Sequence, residues 1–174
     1  AIIAIENGSL DDKVKIDKDV LKAYGSNIYV EIDEEITLRD LLYGLLLRSG
    51  NDAAIEIANC IAGSMDEFVK MMNDKAKNLG MENTTFINSS GLENDEKLGN
   101  TSTAYDMALL MSYAIDNKTF VEISGTKRHI ATTNYKTYDW YNKNKLLTSY
   151  KYTIAGKTGF TKLARRTLVT AALK

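Results

Sequence analysis

The stretch Gly156-Lys157-Thr158-Gly159-Phe160-Thr161 runs, after a short gap, into the β-like segment Arg166-Thr167-Leu168-Val169-Thr170-Ala171-Ala172-Leu173. A lysine, a hydroxyl and a glycine at a strand edge suit a negatively charged, extended ligand. Ammonium and hydroxyl meet a carboxylate, and a residue without a side chain lets backbone pair with backbone. Taken alone, the same residues make an ordinary polar turn before a strand, so their meaning depends on what the rest of the chain supplies.

The flanking texture is that of a sheet. From Phe120 onward, Ile130 to Tyr138 is rich in Thr and Tyr, and Tyr150-Lys151-Tyr152-Thr153-Ile154 alternates. The middle of the chain is helical instead. Thr37-Leu38-Arg39-Asp40 resembles a capping box, and Leu38, Leu41, Leu42, Leu45 and Leu46 recur at helical spacing, predicting a helix that stops at Ser49-Gly50. A second helix starts at Asn51 or Asp52 and runs to Ala62, ended by Gly63. Ser64-Met65-Asp66-Glu67 opens a third, with Phe68, Met71, Met72, Ala76 and Leu79 on one face and Gly80 beyond its end. Residues 81–100 are rich in Asn, Ser, Thr and Gly and read as loop. Residues 101–116 are helical again, with Met107, Leu110, Met111 and Ala114 as the buried stripe.

Nearer the start, Lys13-Val14-Lys15-Ile16 and Ile28-Tyr29-Val30-Glu31-Ile32 alternate on either side of Gly25-Ser26-Asn27, predicting short strands around a turn. Ala1 to Gly8 reads as the second half of a helix, and the chain closes inside an apolar run at Leu173-Lys174. Both ends give the expectation of an internal piece of a longer protein, incomplete at each end. The fold class is α+β: residues 37–118 form a helical lobe, and 1–36 with 119–174 form a sheet-associated region, within one domain spanning 1–174.

A chain of 174 residues with 44% hydrophobic content can bury a sizeable core. Its 22 basic and 23 acidic residues leave a net charge of −1, which does not favour nucleic acid or an anionic membrane surface as partner. No stretch approaches the roughly 18 apolar residues of a membrane span. The lone Cys60 reads as a small buried hydrophobe, since no His or Cys stands at metal-ligand spacing from it. His129, the single histidine, reads as a solvated residue at a strand start. Asp11-Asp12 and Asp33-Glu34-Glu35 read as turn and helix-entry charges rather than a catalytic carboxylate pair. Tyr135, Tyr138, Trp140 and Tyr141 read as strand packing or a groove wall.

A second short motif changes the weight of the first. Ser49-Gly50-Asn51 lies at the junction of two helices, where a hydroxyl and a carboxamide can project into a cleft without spoiling a helix interior. Its plain reading is a helix-to-helix turn, Gly50 as C-cap and Asn51 as N-cap. Both motifs, in this order and these contexts, say far more than either. The pair resembles the second and third motifs of the penicillin-recognising serine enzymes, Ser-x-Asn and Lys-Thr-Gly, whose first motif is Ser-x-x-Lys. Longer stretches narrow the likeness: Leu45 to Ala54, Thr84 to Leu92, Thr101 to Leu110 and Gly156 to Thr161 resemble the serine-type D-alanyl-D-alanine carboxypeptidases, the low-molecular-weight penicillin-binding proteins.

The resemblance implies a β-lactamase/transpeptidase-like fold, a helical lobe beside an antiparallel sheet backed by helices. It implies the following roles. Ser49 belongs to a proton relay beside the nucleophile, Asn51 bonds a substrate carbonyl, and Lys157 raises the positive potential and supports proton transfer. Thr158 and Thr161 face the terminal D-alanine carboxylate, Phe160 contributes a backbone N–H to the oxyanion hole, and Gly159 permits close strand approach. The Ser-x-x-Lys nucleophile motif is expected shortly before Ala1. Ser124-Gly125-Thr126-Lys127 is a decoy, placed after Ser49 instead of before it. Ser90 stands where relatives often carry Pro, and Asn100 where many carry His.

The implied activity is removal of the terminal D-alanine from peptidoglycan stem peptides through an acyl-enzyme, with β-lactams acylating the same serine. No metal or organic cofactor is implied, and any membrane contact comes through an anchor not in this sequence. The implied setting is outside the bacterial cytoplasmic membrane. Two alternatives remain open: a class A β-lactamase, against which Glu96-Lys97-Leu98-Gly99-Asn100 has its leucine at the wrong spacing, and a non-catalytic peptidoglycan-binding module of the same fold.

Overall fold

The computed structural model describes residues 1–94 and 96–174. At its centre lies α2 (Leu38–Arg48), preceded by α1 (Ile2–Asn7), β1 (Lys13–Lys15), a 3-10 turn (Lys18–Lys22) and β2 (Glu35–Thr37). It is followed by α3 (Asn51–Ala62), α4 (Met65–Asn78), α5 (Ala104–Ile115) and α6 (Lys118–Gly125). The chain then forms β3 (Arg128–Thr132), β4 (Thr137–Tyr141), a short α7 (Leu146–Ser149), β5 (Thr153–Thr161) and β6 (Arg165–Ala172).

The helices form where periodicity and caps coincide. Thr37, Ser64 and Thr103 each accept a hydrogen bond from the backbone N–H three residues on, meeting amides that a helix start leaves unpaired. Leu41, Leu42 and Leu47 of α2 are fully buried, and α3 lays Ala53, Ala54, Ile57 and Ala58 into the same core. Gly44, inside α2, has a packing reason: a Cβ there would sit 2.7 Å from Ile28 Cδ1. Among the described residues no helix is long and apolar enough to cross a membrane.

The strands pair antiparallel as β1–β2, β3–β4 and β5–β6. The last pair is the longest and sets Lys157 opposite Val169 and Gly159 opposite Thr167. Its back is covered by α6 on β5 and α5 on β6. Small residues allow this contact: Ala155 is fully buried, and a Cβ on Gly125 would strike the Ile154 carbonyl.

Five expectations are corrected. Ile28–Ile32 alternates in sequence yet forms no strand, and β1 pairs with Glu35–Thr37 instead. Its amides are taken by carboxylates: Asp52 accepts from Ile28 and Tyr29 at 3.0 and 2.6 Å, and Glu34 accepts from Glu31 at 2.8 Å. Tyr29 and Asp33 also take left-handed backbone, at φ 64° and 66°, which no ladder accommodates. The region after residue 118 is not all sheet, since α6 fills its start; Thr119, Val121 and Ile123 masked a helix of only eight residues that Asn117 caps.

Glu34 is no surface turn charge. It is fully buried and accepts from Tyr138 Oη at 2.9 Å and Thr133 Oγ1 at 2.6 Å, tying the β3–β4 hairpin to the loop before β2. Cys60 is exposed, because it lies off the stripe of Ala53, Ala54, Ile57 and Ala58 that faces the core. His129 is not solvated: only 21% of its side chain is exposed, its ring stacks on Tyr43 at 3.7 Å, and Nε2 lies 2.6 Å from Asp40 Oδ1.

Two sites of tight or unsatisfied packing have measurable consequences. A Cβ on Gly159 would collide with Thr167 Oγ1 across the pair, so Gly159→Ala forces that threonine off its rotamer and lowers stability by about 1 kcal/mol. Adding Thr167→Ala restores most of the loss in thermal melts, and equal melting of the single and double variants would refute the collision. Glu56 on α3 is 2% exposed, with Oε2 at a long 3.5 Å from the Asp17 N–H and Oε1 unpartnered among the described residues. Burial, with the charges of Asp17, Asp19 and Asp52, raises its carboxyl from 4.5 to about 7. The native state therefore keeps a proton that the unfolded chain releases, and stability declines as pH rises from about 4.5 to about 7. Glu56→Gln flattens that slope and melts higher than the parent at pH 8.

Candidate active-site cleft

Ser49 owes its position to a strained turn. It ends α2 with left-handed backbone at φ 61° and ψ 43°, its N–H bonded to Leu45 O, while the Gly50 N–H reaches back to Gly44 O. Gly50 was expected to take that conformation; it instead precedes α3 with φ −66°. A residue with a Cβ there costs on the order of 1 kcal/mol, and the gain is a hydroxyl held clear of both helices. Asn51 does not cap α3 either. It is the helix's first residue, buried, and its Nδ2 donates to Tyr24 O at 2.6 Å.

β5 brings its lysine to this turn. Lys157 Nζ donates to Ser49 Oγ at 2.5 Å and to the Thr158 carbonyl at 2.5 Å, so residues 108 apart in sequence meet. The ammonium is mostly withdrawn from water. Burial, with the nearby charge of Lys143, pushes Lys157 down to about 8. A lysine poised there shifts between donor and acceptor near neutral pH, and the group beside it is a hydroxyl.

Around the pair opens a cleft of about 1090 Å³. Ser49, Asn51, Lys157, Thr158, Gly159, Phe160 and Thr161 all line it. Thr161 Oγ1 donates to Glu93 Oε1 and accepts from the Ala164 N–H at 3.0 Å. Gly159 has a reason beyond ligand approach, since Thr167 Oγ1 fills the place of its missing side chain. Ser124 of the decoy motif is fully buried at the end of α6, its Oγ donating to Phe120 O at 2.7 Å.

Tyr24, Glu93 and Lys143 also line the cleft, though no motif marks any of them. Lys143 follows β4 in a turn fixed by the Asn142 side chain, which donates to Ser124 O and Thr126 O, and by the Lys143 N–H, which donates to Leu47 O at 3.2 Å. No periodicity marks such a position. Asn100 ties down the opposite loop by accepting from the Ile87 and Asn88 amides and donating to Asn88 O. Among the described residues no group of three or more His, Cys, Asp or Glu is placed to hold a metal ion.

The fold that carries this serine turn and lysine strand is the one the DD-peptidases and transpeptidases share. The crystal structure of a D-alanyl-D-alanine carboxypeptidase from Mycobacterium tuberculosis superposes with a TM-score of 0.92 at 34% identity, covering 99% of this chain and 65% of that one. The Streptomyces K15 DD-transpeptidase superposes at 0.90 and 34% identity, covering 99% and 71%. The family model described as peptidase S11, D-alanyl-D-alanine carboxypeptidase, matches residues 2–174, and the chain belongs to that family. Among curated relatives, D-alanyl-D-alanine carboxypeptidase DacF of Bacillus subtilis is 36% identical over 98% of this chain and 44% of its own length. DacB2 of Mycobacterium tuberculosis is 34% identical over 100% and 59%. The chain thus spans roughly half the length of these relatives. The β-lactamase alternative is not favoured by these likenesses.

The lysine makes a direct prediction. In NMR titrations of lysine Cε-labelled protein, Lys157 has its midpoint near pH 8, below the other lysines. Lys143→Gln removes a like charge and moves that midpoint up. A Lys157 midpoint at the ordinary 10.5 would contradict the burial and its consequence.

Proposed function

We propose that this chain is the substrate-binding and proton-handling part of a serine D-Ala-D-Ala carboxypeptidase acting on peptidoglycan stem peptides. The observation that carries the reading is the Lys157–Ser49 contact, which joins the Ser-x-Asn turn to the Lys-Thr-Gly strand inside one cleft. In this reading a serine from a Ser-x-x-Lys helix start lying ahead of α1 attacks the penultimate D-alanine carbonyl. Its Oγ bonds to that carbon, and the peptide C–N bond breaks. The released amine of D-alanine takes up the proton that Ser49 and Lys157 pass along, and water then hydrolyses the acyl ester.

Each site residue has a part in this chemistry. Asn51 exchanges the Tyr24 carbonyl for a substrate carbonyl. Thr158 and Thr161 present hydroxyls to the terminal carboxylate. The Phe160 N–H stabilises the oxyanion, and Gly159 keeps the strand edge open. The single domain divides functionally into the helical lobe of residues 37–118 and the sheet-associated remainder, with the cleft between them. β-Lactams are the alternative acylating ligands, and the setting is the outer face of a bacterial cytoplasmic membrane.

A protein in which the Ser-x-x-Lys helix start precedes Ala1 is expected to be labelled covalently by a fluorescent penicillin, with the label lost when that serine becomes Ala. Lys157→Ala slows labelling by about 100-fold or more, the range of a general acid–base or oxyanion group. A folded protein of this kind that takes no label would overturn the enzyme reading.

A further inference from the structure

Resting on the carboxylate subsite of that reading, we propose that Glu93 is its resident ligand and a specificity-determining residue: its side chain occupies Thr161 until an incoming substrate carboxylate displaces it. The hydrogen-bond accounting leads there. Thr161 has one hydroxyl proton, and it goes to Glu93 Oε1. The same carboxylate oxygen accepts the Leu163 N–H at the tip of the β5–β6 hairpin, at 3.2 Å. A carboxylate that receives a threonine hydroxyl and a backbone amide stands as a ligand's carboxylate would.

The segment is held in place from the far side of the cleft. Tyr24 Oη donates to Glu93 O at 2.6 Å, and the Tyr24 carbonyl is in turn the acceptor for Asn51 Nδ2. Asn51, Tyr24, Glu93 and Thr161 therefore form one chain of contacts across the cleft mouth, with both outer members engaged internally. Charge supports the assignment. Lys97, Lys143, Lys157 and Lys162 line the cleft, and Glu93 is the one carboxylate among its described lining residues. The Thr161 hydroxyl holds the Glu93 carboxyl below its usual range, so it remains an anion that repels a second one. The cleft's cationic field is thus partly spent internally, and ligands bind against it.

The test compares two peptides on the 174-residue chain by NMR titration: diacetyl-L-lysyl-D-alanyl-D-alanine and the same peptide ending in a carboxamide. Glu93→Gln keeps an acceptor for Thr161 and removes the charge. It is expected to tighten the carboxylate peptide by about three- to tenfold and to leave the carboxamide peptide unchanged. Raising salt narrows the gap between parent and variant. In a Thr161→Val background the Glu93→Gln gain disappears, because the shared hydroxyl is gone. If Glu93 is only a brace for the hairpin tip, Glu93→Gln weakens both peptides or neither, and the proposal fails while the carboxylate preference of the parent stands. If every form binds both peptides equally, or binds neither, the carboxylate subsite falls and takes the Glu93 assignment with it.

Discussion

A lysine ammonium taken out of water and laid on a serine hydroxyl is the contact on which the architecture turns. Removing that charge from solvent is costly, and the cost is bearable only because Ser49 Oγ and the Thr158 carbonyl both accept from Nζ. For Lys157 to reach Ser49, β5 must lie close to the α2–α3 turn. That requirement explains the small residues nearby. Ala155 and Gly125 let α6 come up behind the strand, and Gly159 gives its side-chain space to Thr167 on the neighbouring strand. The strain at Ser49 belongs to the same constraint, since a residue in ordinary helical backbone would continue α2 rather than turn its hydroxyl outward.

The loops are organised by carboxylates that accept backbone amides. Asp52 takes the amides of Ile28, Tyr29 and Ala53, Glu34 takes that of Glu31, Asp106 takes that of Asn83, and Glu93 takes that of Leu163. Each fixes backbone at one or more charge-assisted bonds apiece, and all but the Ala53 amide lie outside the helices and strands. Asp52, Glu34 and Asp106 are buried and each accepts hydrogen bonds, as a charge in an interior must. Glu56 is the exception in the same interior, and its raised carboxyl records the missing partner.

α2, α4 and α5 were legible because two independent signals agreed in each, apolar spacing and a hydroxyl cap at the right offset, while α3 showed in its apolar spacing alone. α6 had the cap, at Asn117, but too few residues for periodicity to emerge from its β-branched content. Ser49 and Lys157 were legible only as a pair, through the likeness of two motifs to a known family; their local chemistry fits an ordinary turn and an ordinary strand. Tyr24, Glu93 and Lys143 left no trace, since nothing in a loop's local sequence says which distant group its side chain will meet. His129 and Glu34 show the converse. Both looked like surface charges, and tertiary packing placed one against Tyr43 and Asp40 and the other under Tyr138 and Thr133.

The segment Ile28–Ile32 carries the composition that ordinarily lets one protein chain recruit another: alternating, β-branched and apolar. Ile28, Tyr29 and Glu31 have already given their amides to Asp52 and Glu34, and Tyr29 bends the backbone out of line. A foreign strand arriving here finds occupied donors and no straight edge to copy. The two acids that organise this loop thereby also leave it without the free donors that edge-to-edge pairing needs.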